Sequence, residues 1–210
     1  MKKYVITLLV CFFTIMTANN AWANNIAIEK NTSLRDIEIT ANSEQLEIIN
    51  TLDMENITIG EFLEKVFPSE FAILNTGEES RNKLFQENIY HRDATKMDIS
   101  RSHGLPGGST IWGFNPRGAV HSSWTQRHVA VREMWIFSEL VKRDTNTTVN
   151  ATFRIAYNVP RNTRITTSGS RYNLTPGPYR TRGAHWYTHV GNFGEEWKFF
   201  VTGTTTLQIQ

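Results

Sequence analysis

The 210-residue chain has one cysteine, no acidic residue between Thr145 and Gly194, and no long apolar run beyond its first two dozen residues. Cys11 lies within MKKYVITLLVCFFTIMTANNAWANN, where Lys2 and Lys3 precede an apolar run from Tyr4 to Met16 and Ala21-Trp22-Ala23 follows. This order reads as a secretory signal peptide cleaved after Ala23, its apolar run too short to span a bilayer. The expected mature chain of about 187 residues then has no disulfide, no thiolate nucleophile and no cysteine metal site. Its core must stabilise it unaided. No later stretch has the length and apolarity of a transmembrane segment, so a secreted or periplasmic protein is expected.

Motifs of catalysis are also missing. There is no HExxH, and Gly107-Gly108-Ser109-Thr110 lacks the second glycine of a nucleophile elbow. His185 and His189 are four apart, about 13 Å on a strand, too far to share one metal. No metal is expected.

The charge is divided. Residues 24–100 hold 7 Lys/Arg against 15 Asp/Glu, and residues 101–210 hold 13 against 5. That asymmetry predicts two modules, or one domain with opposed faces. In 24–100, the even spacing of Leu46, Ile48, Leu52 and Met54 predicts a strand. Thr58-Ile59-Gly60-Glu61 is a capping box opening a helix over Phe62, Leu63, Val66 and Phe67, which Pro68 stops. Phe71 to Leu74 reads as a short strand. Residues 101–124, rich in Gly, Ser and Pro, read as a connecting loop. In 125–210, Phe153, Ile155, Tyr157 and Val159 alternate with polar or small neighbours as in a half-buried strand. Met134 to Val141 is its hairpin partner, with a helix over 127–142 as the competing assignment. A second hairpin turns near Gly191 to Gly194, and Thr204 to Gln210 supply a last strand. The expected class is α+β: a small strand-helix-strand N-terminal module followed by a mainly antiparallel β module.

Two stretches carry resemblances. LEIINTLDMENITIGEFLEKVFPSEFAIL, residues 46–74, resembles the small N-terminal domains of secretins and related envelope machines, which implies a periplasmic component of a secretion or pilus apparatus. IYHRDATKMDISRSHGLPGG followed by FNPRG, within residues 89–118, resembles the opening of ADP-ribosylating enterotoxin A subunits. That resemblance implies NAD as cosubstrate, Arg92 holding its phosphates, Ser168 in the family's Ser-Thr-Ser strand and Glu196 as the catalytic glutamate.

What the second half has in abundance is arginine. ATFRIAYNVPRNTRITTSGSRYNLTPGPYRTRG, residues 151–183, carries six arginines and neither lysine nor acid. Arginine offers a planar fork suited to carboxylate, sulfate or phosphate. Arg161, Arg164, Arg171, Arg180 and Arg182, with Tyr179 and Trp186 among them, therefore predict a binding surface for an anionic glycan, lipid headgroup or acidic protein. The competing assignment is a solvated face whose arginines pair with the acidic half. The expected function is non-enzymatic binding in the envelope or as a secreted virulence-type factor, without a cofactor. The transferase and secretion-machine readings are the alternatives.

Overall fold

The computed structural model describes residues 36–75, 79–90, 97–98, 107–191 and 194–210, with backbone alone at 79–80, 97–98, 190–191 and 194–195. The expected signal peptide 1–23, Arg92, and residues 101–106 of the expected loop lie outside them. In chain order the elements are β1 (Ile37–Thr40), α1 (Ser43–Thr51), α2 (Ile59–Val66), α3 (Pro68–Leu74), α4 (Glu79–Leu84), β2 (Met97–Asp98), β3 (Gly107–Phe114) and β4 (Gly118–Gln126). There follow β5 (Val131–Lys142), β6 (Thr147–Val159), β7 (Arg164–Arg171), β8 (Gly177–Gly191), β9 (Gly194–Gly203) and β10 (Leu207–Ile209).

The strands form two sheets. One runs β1-β6-β5-β8-β9-β2 with β10 added on β8; the other runs β3-β4-β7. Pairing is antiparallel throughout except for β2 on β9. The class is α+β with mainly antiparallel sheets. Alternation along β5, β6 and β8 sorts the large sheet's side chains onto two faces. Trp135, Phe137, Phe153, Ile155, Ala184 and Trp186 share one core with Ile49, Phe62, Leu63, Val66 and Phe67 of the helical segment. Phe62 meets Phe137 edge-on at 5.1 Å between centroids, and Phe67 stacks on Phe153 at 6.0 Å. Each such buried ring contributes about 2–3 kcal/mol. The opposite face, with Met134, Ile136, Ser138, Leu140 and His185, meets the small sheet.

The helices begin where caps dictate. Thr58 and Glu61 form the capping box of α2, and Ile59, Phe62, Leu63 and Val66 are its buried stripe. Pro68 ends that helix and also opens α3 at its first turn, where a missing N–H costs nothing. Phe71–Leu74 is thus helical where a strand was expected. Residues 43–51 are likewise helix α1, because Asn42 and Gln45 form a second capping box. Asn50 docks α1 on β6, donating to Thr148 O at 2.9 Å and accepting from Thr148 N at 2.7 Å. Residues 107–114 and 118–124, expected as loop, lie in strands β3 and β4 of the small sheet. The hairpin β5–β6 and the hairpin β8–β9, with Gly191 opposite Gly194, stand as expected. β1 of the acidic half joins β6 of the basic half, so the two halves share one sheet and one core.

Candidate functional site

Between the sheets runs a chain of polar side chains rather than hydrocarbon. Thr125 Oγ1 lies 2.9 Å from His185 Nδ1, and His185 Nε2 lies 2.7 Å from Thr202 Oγ1. Thr202 Oγ1 is 2.5 Å from Ser109 Oγ, and Ser109 Oγ is 2.8 Å from Ser123 Oγ. Ser123 donates to Ser138 at 2.9 Å. Ser138 Oγ meets His121 Nδ1 at 2.9 Å, and His121 Nε2 meets Asn150 Oδ1 at 2.7 Å. One end sets every proton. The Asn150 oxygen only accepts, so His121 carries its proton on Nε2 and Nδ1 accepts from Ser138. Ser138 then accepts from Ser123, Ser123 from Ser109, Ser109 from Thr202, and Thr202 from the Nε2–H of His185. His185 Nδ1 accepts from Thr125. Burial pushes His121 down to about 4 and His185 down to about 3, which keeps both imidazoles neutral near pH 7.

Gly183 makes room for this chain. A Cβ there would stand 2.5, 2.6 and 2.7 Å from the hydroxyl oxygens of Ser123, Ser109 and Thr202. Gly183→Ala should therefore destabilise by roughly 2–3 kcal/mol, by overpacking and by severed hydrogen bonds. Gly203→Ala is the control, since a Cβ at Gly203 finds its nearest atom at 3.8 Å. Urea midpoints compare the two; equal midpoints would contradict the tight seat of Gly183.

The structure divides the arginines. Arg161, in the turn from β6 to β7, and Arg164, at the start of β7, are exposed at one end of the sandwich. Arg127 joins that end, its Cζ 4.4 Å over the Tyr187 ring. The Arg164 guanidinium lies 4.1 Å over the centroid of Trp124. Arg171 is exposed at the far end of β7, opposite Ala119 in the register. Arg154 turns to the acidic half, reaching Asp36 at 3.3 Å and Glu38 at 3.8 Å.

Arg180 and Arg182 stand on the helical face of β8, away from Arg161 and Arg164. Arg182 Nε donates to Glu139 at 2.8 Å, and its Cζ lies 4.9 Å over the Tyr90 ring. Arg182 is thus an internal partner of a buried acid. Burial lowers the pKa of Arg180, and the neighbouring charges of Arg182 and Arg143 lower it further. Tyr179 and Trp186, expected beside the ligand, are core residues at 1% and 0% exposure. Aromatic character alone does not separate a stacking ring from a packed one.

Of the transferase constellation, Arg92 lies outside the described residues. Ser168 is exposed on β7, and Glu196 is exposed on β9, paired with Lys198 at 2.9 Å. The two stand in different sheets. The neighbourhood of Trp124 and Arg164 follows from the strand register, in which Trp124 pairs with Thr166 and Gln126 with Arg164, and it has no signal in the sequence itself. No helix among the described residues is long and apolar enough to cross a membrane. No protein-family model, no curated protein and no solved structure matches the chain.

Proposed function

We propose that the chain is an exported, non-enzymatic binding protein that takes an anionic partner at the Arg161–Arg164 end of the small sheet. The stack of Arg164 on Trp124 carries the reading. A guanidinium held over a ring has little freedom left to lose when it meets an anion, and Arg164 stays exposed. Nothing on its own sheet competes for it, because β3, β4 and β7 contain no Asp, Glu or Lys. Export places the anions of envelope polymers and host surfaces within reach, whereas nucleic acid is scarcer there.

Heparin affinity tests this. The protein is expected to bind at low salt and to release as salt rises, since neutralised charges return their counterions. Arg164→Ala should weaken binding about tenfold, the scale of one charged hydrogen-bond contact, while leaving the fold intact. Arg164→Lys should recover only part, because an ammonium keeps the charge and loses the fork. A wild-type protein that ignores heparin at low salt would rule the reading out.

A further inference from the structure

The outer face of the small sheet is built unlike an ordinary solvated face. Ser109, His121, Ser123, Thr125 and Thr167 point inward and are buried, so their neighbours along each strand point out. The register sets the outward residues in rows across the three strands: Gly108–Trp124–Thr166, then Thr110–Ser122–Ser168, then Trp112–Val120–Ser170. Phe114 opposite Gly118 closes the series, with Tyr172 just beyond β7. Rings and hydroxyls therefore alternate along the face.

Two of the rings, Trp124 and Phe114, are set flat against the sheet. A Cβ on Gly108 would touch the Trp124 indole at 2.8 Å, so that ring lies across the neighbouring strand's backbone. The Phe114 ring covers Gly118 in the same way and meets Tyr172 edge-on at 4.9 Å. Trp112 and Tyr172 are the exposed members, at 51% and 63%. Trp112 stands four residues along from the Trp124 row, about 13 Å, and the whole series from Arg164 to Phe114 runs about 26 Å.

Three partner classes can be weighed against this layout. A single-stranded nucleic acid needs a continuous basic track beside its stacked bases. Here the positive charge sits at the ends, with uncharged rows between. A protein partner finds its energy in aromatics gathered at a dry centre. Here a hydroxyl row separates Trp112 from Trp124. A sugar chain has the matching form, with apolar ring faces to stack and hydroxyl edges to bond, repeated along its length. Rigid aromatic side chains give such contacts area at little entropic cost.

Resting on the anion-binding reading above, we infer that this face binds a linear acidic polysaccharide. Its sugar faces stack on Trp112 and Tyr172, its hydroxyls bond to Thr110, Ser168 and Ser170, and its carboxylate or sulfate groups meet Arg164.

Affinity electrophoresis of the full protein through gels holding heparin, polygalacturonate, neutral dextran, polyphosphate or oligo(dT) tests this. Heparin or polygalacturonate should retard the protein most; polygalacturonate carries carboxylate alone, so stronger retardation by heparin marks a contribution from sulfate. Trp112→Ala and Tyr172→Ala should each weaken that binding about tenfold, the scale of removing one stacked ring. Trp112→Phe should restore most of it. Polyphosphate should bind weakly through Arg164 and be indifferent to Trp112→Ala. Polyphosphate or oligo(dT) binding as tight as the polysaccharides, with the ring variants unaffected, would overturn the glycan inference and leave the anion reading standing. Protein that ignores every polyanion would overturn both.

Discussion

Acidification from pH 6.5 to 4 is expected to cost the protein most of its stability. His121 and His185 titrate near 6.5 in the unfolded chain and, through burial, at about 4 and about 3 in the folded one. Above pH 6.5 both states hold these rings neutral, and stability does not depend on their protonation. Below it, the unfolded chain takes up two protons that the folded chain refuses. Stability therefore falls as pH falls, by about 1.4 kcal/mol per pH unit for each ring. The loss reaches roughly 6 kcal/mol by pH 4, comparable to the whole stability of an ordinary domain. The geometry agrees: a proton on His121 Nδ1 would face the hydroxyl that Ser138 already donates. Urea midpoints measured from pH 7.5 to 4.5 should fall steadily below 6.5, and His185→Gln should make the slope shallower. Constant midpoints between pH 7 and 5 would refute the neutral buried rings.

Glu139→Ala is expected to destabilise by about 3–5 kcal/mol, as removal of one member of a buried ion pair does. The Glu139 side chain is fully buried and accepts from Tyr90 at 2.5 Å, Thr148 at 2.5 Å and Arg182 at 2.8 Å. Burial, and then the Glu139 charge, push the Tyr90 phenol up, so it stays protonated and donates. Burial works against the Arg182 charge, but the charge and hydrogen bond of Glu139, together with the other groups around it, hold the guanidinium above its usual value. Alanine would leave two hydroxyls and a guanidinium facing a cavity. Arg182→Met alone should also be costly, because it leaves Glu139 charged and short of a partner. Both together should cost less than the sum, since neither charge then remains uncompensated. A strictly additive double variant would show that the pair is not coupled.

How much of this was visible in the residues depends on which side of a strand meets hydrocarbon. The β6 alternation of Phe153, Ile155 and Tyr157 is legible because one face meets the aromatic core and the other does not. The β8–β9 hairpin is legible through its glycines. β4, GAVHSSWTQ, defeats the same reading because its inward residues His121, Ser123 and Thr125 are polar and satisfied by partners far away in sequence. A strand whose buried side is hydroxylic looks like loop. α1 failed for another reason: Leu46, Ile48 and Leu52 fit a strand's spacing, while Leu46 and Ile49 fit a helix, and the Asn42–Gln45 cap decides. The arginine-rich stretch was legible as composition only. Its division into exposed Arg161 and Arg164 and inward-paired Arg182 follows from strand register, which a single sequence does not display.

The hydroxyl chain between the sheets also governs how the sandwich finds its alignment. Two greasy sheets can slide over one another and stay attracted, because dispersion and dehydration are indifferent to direction. Eight hydrogen-bonded side chains, from Thr125 to Asn150, are not indifferent. A shift by one side-chain repeat, about 7 Å, would leave them buried opposite the wrong partners. Misaligned packings are penalised even where they bury as much surface. The small sheet thus has a single berth on the large one, and the spacing of the rings on its far side is as invariant as that berth.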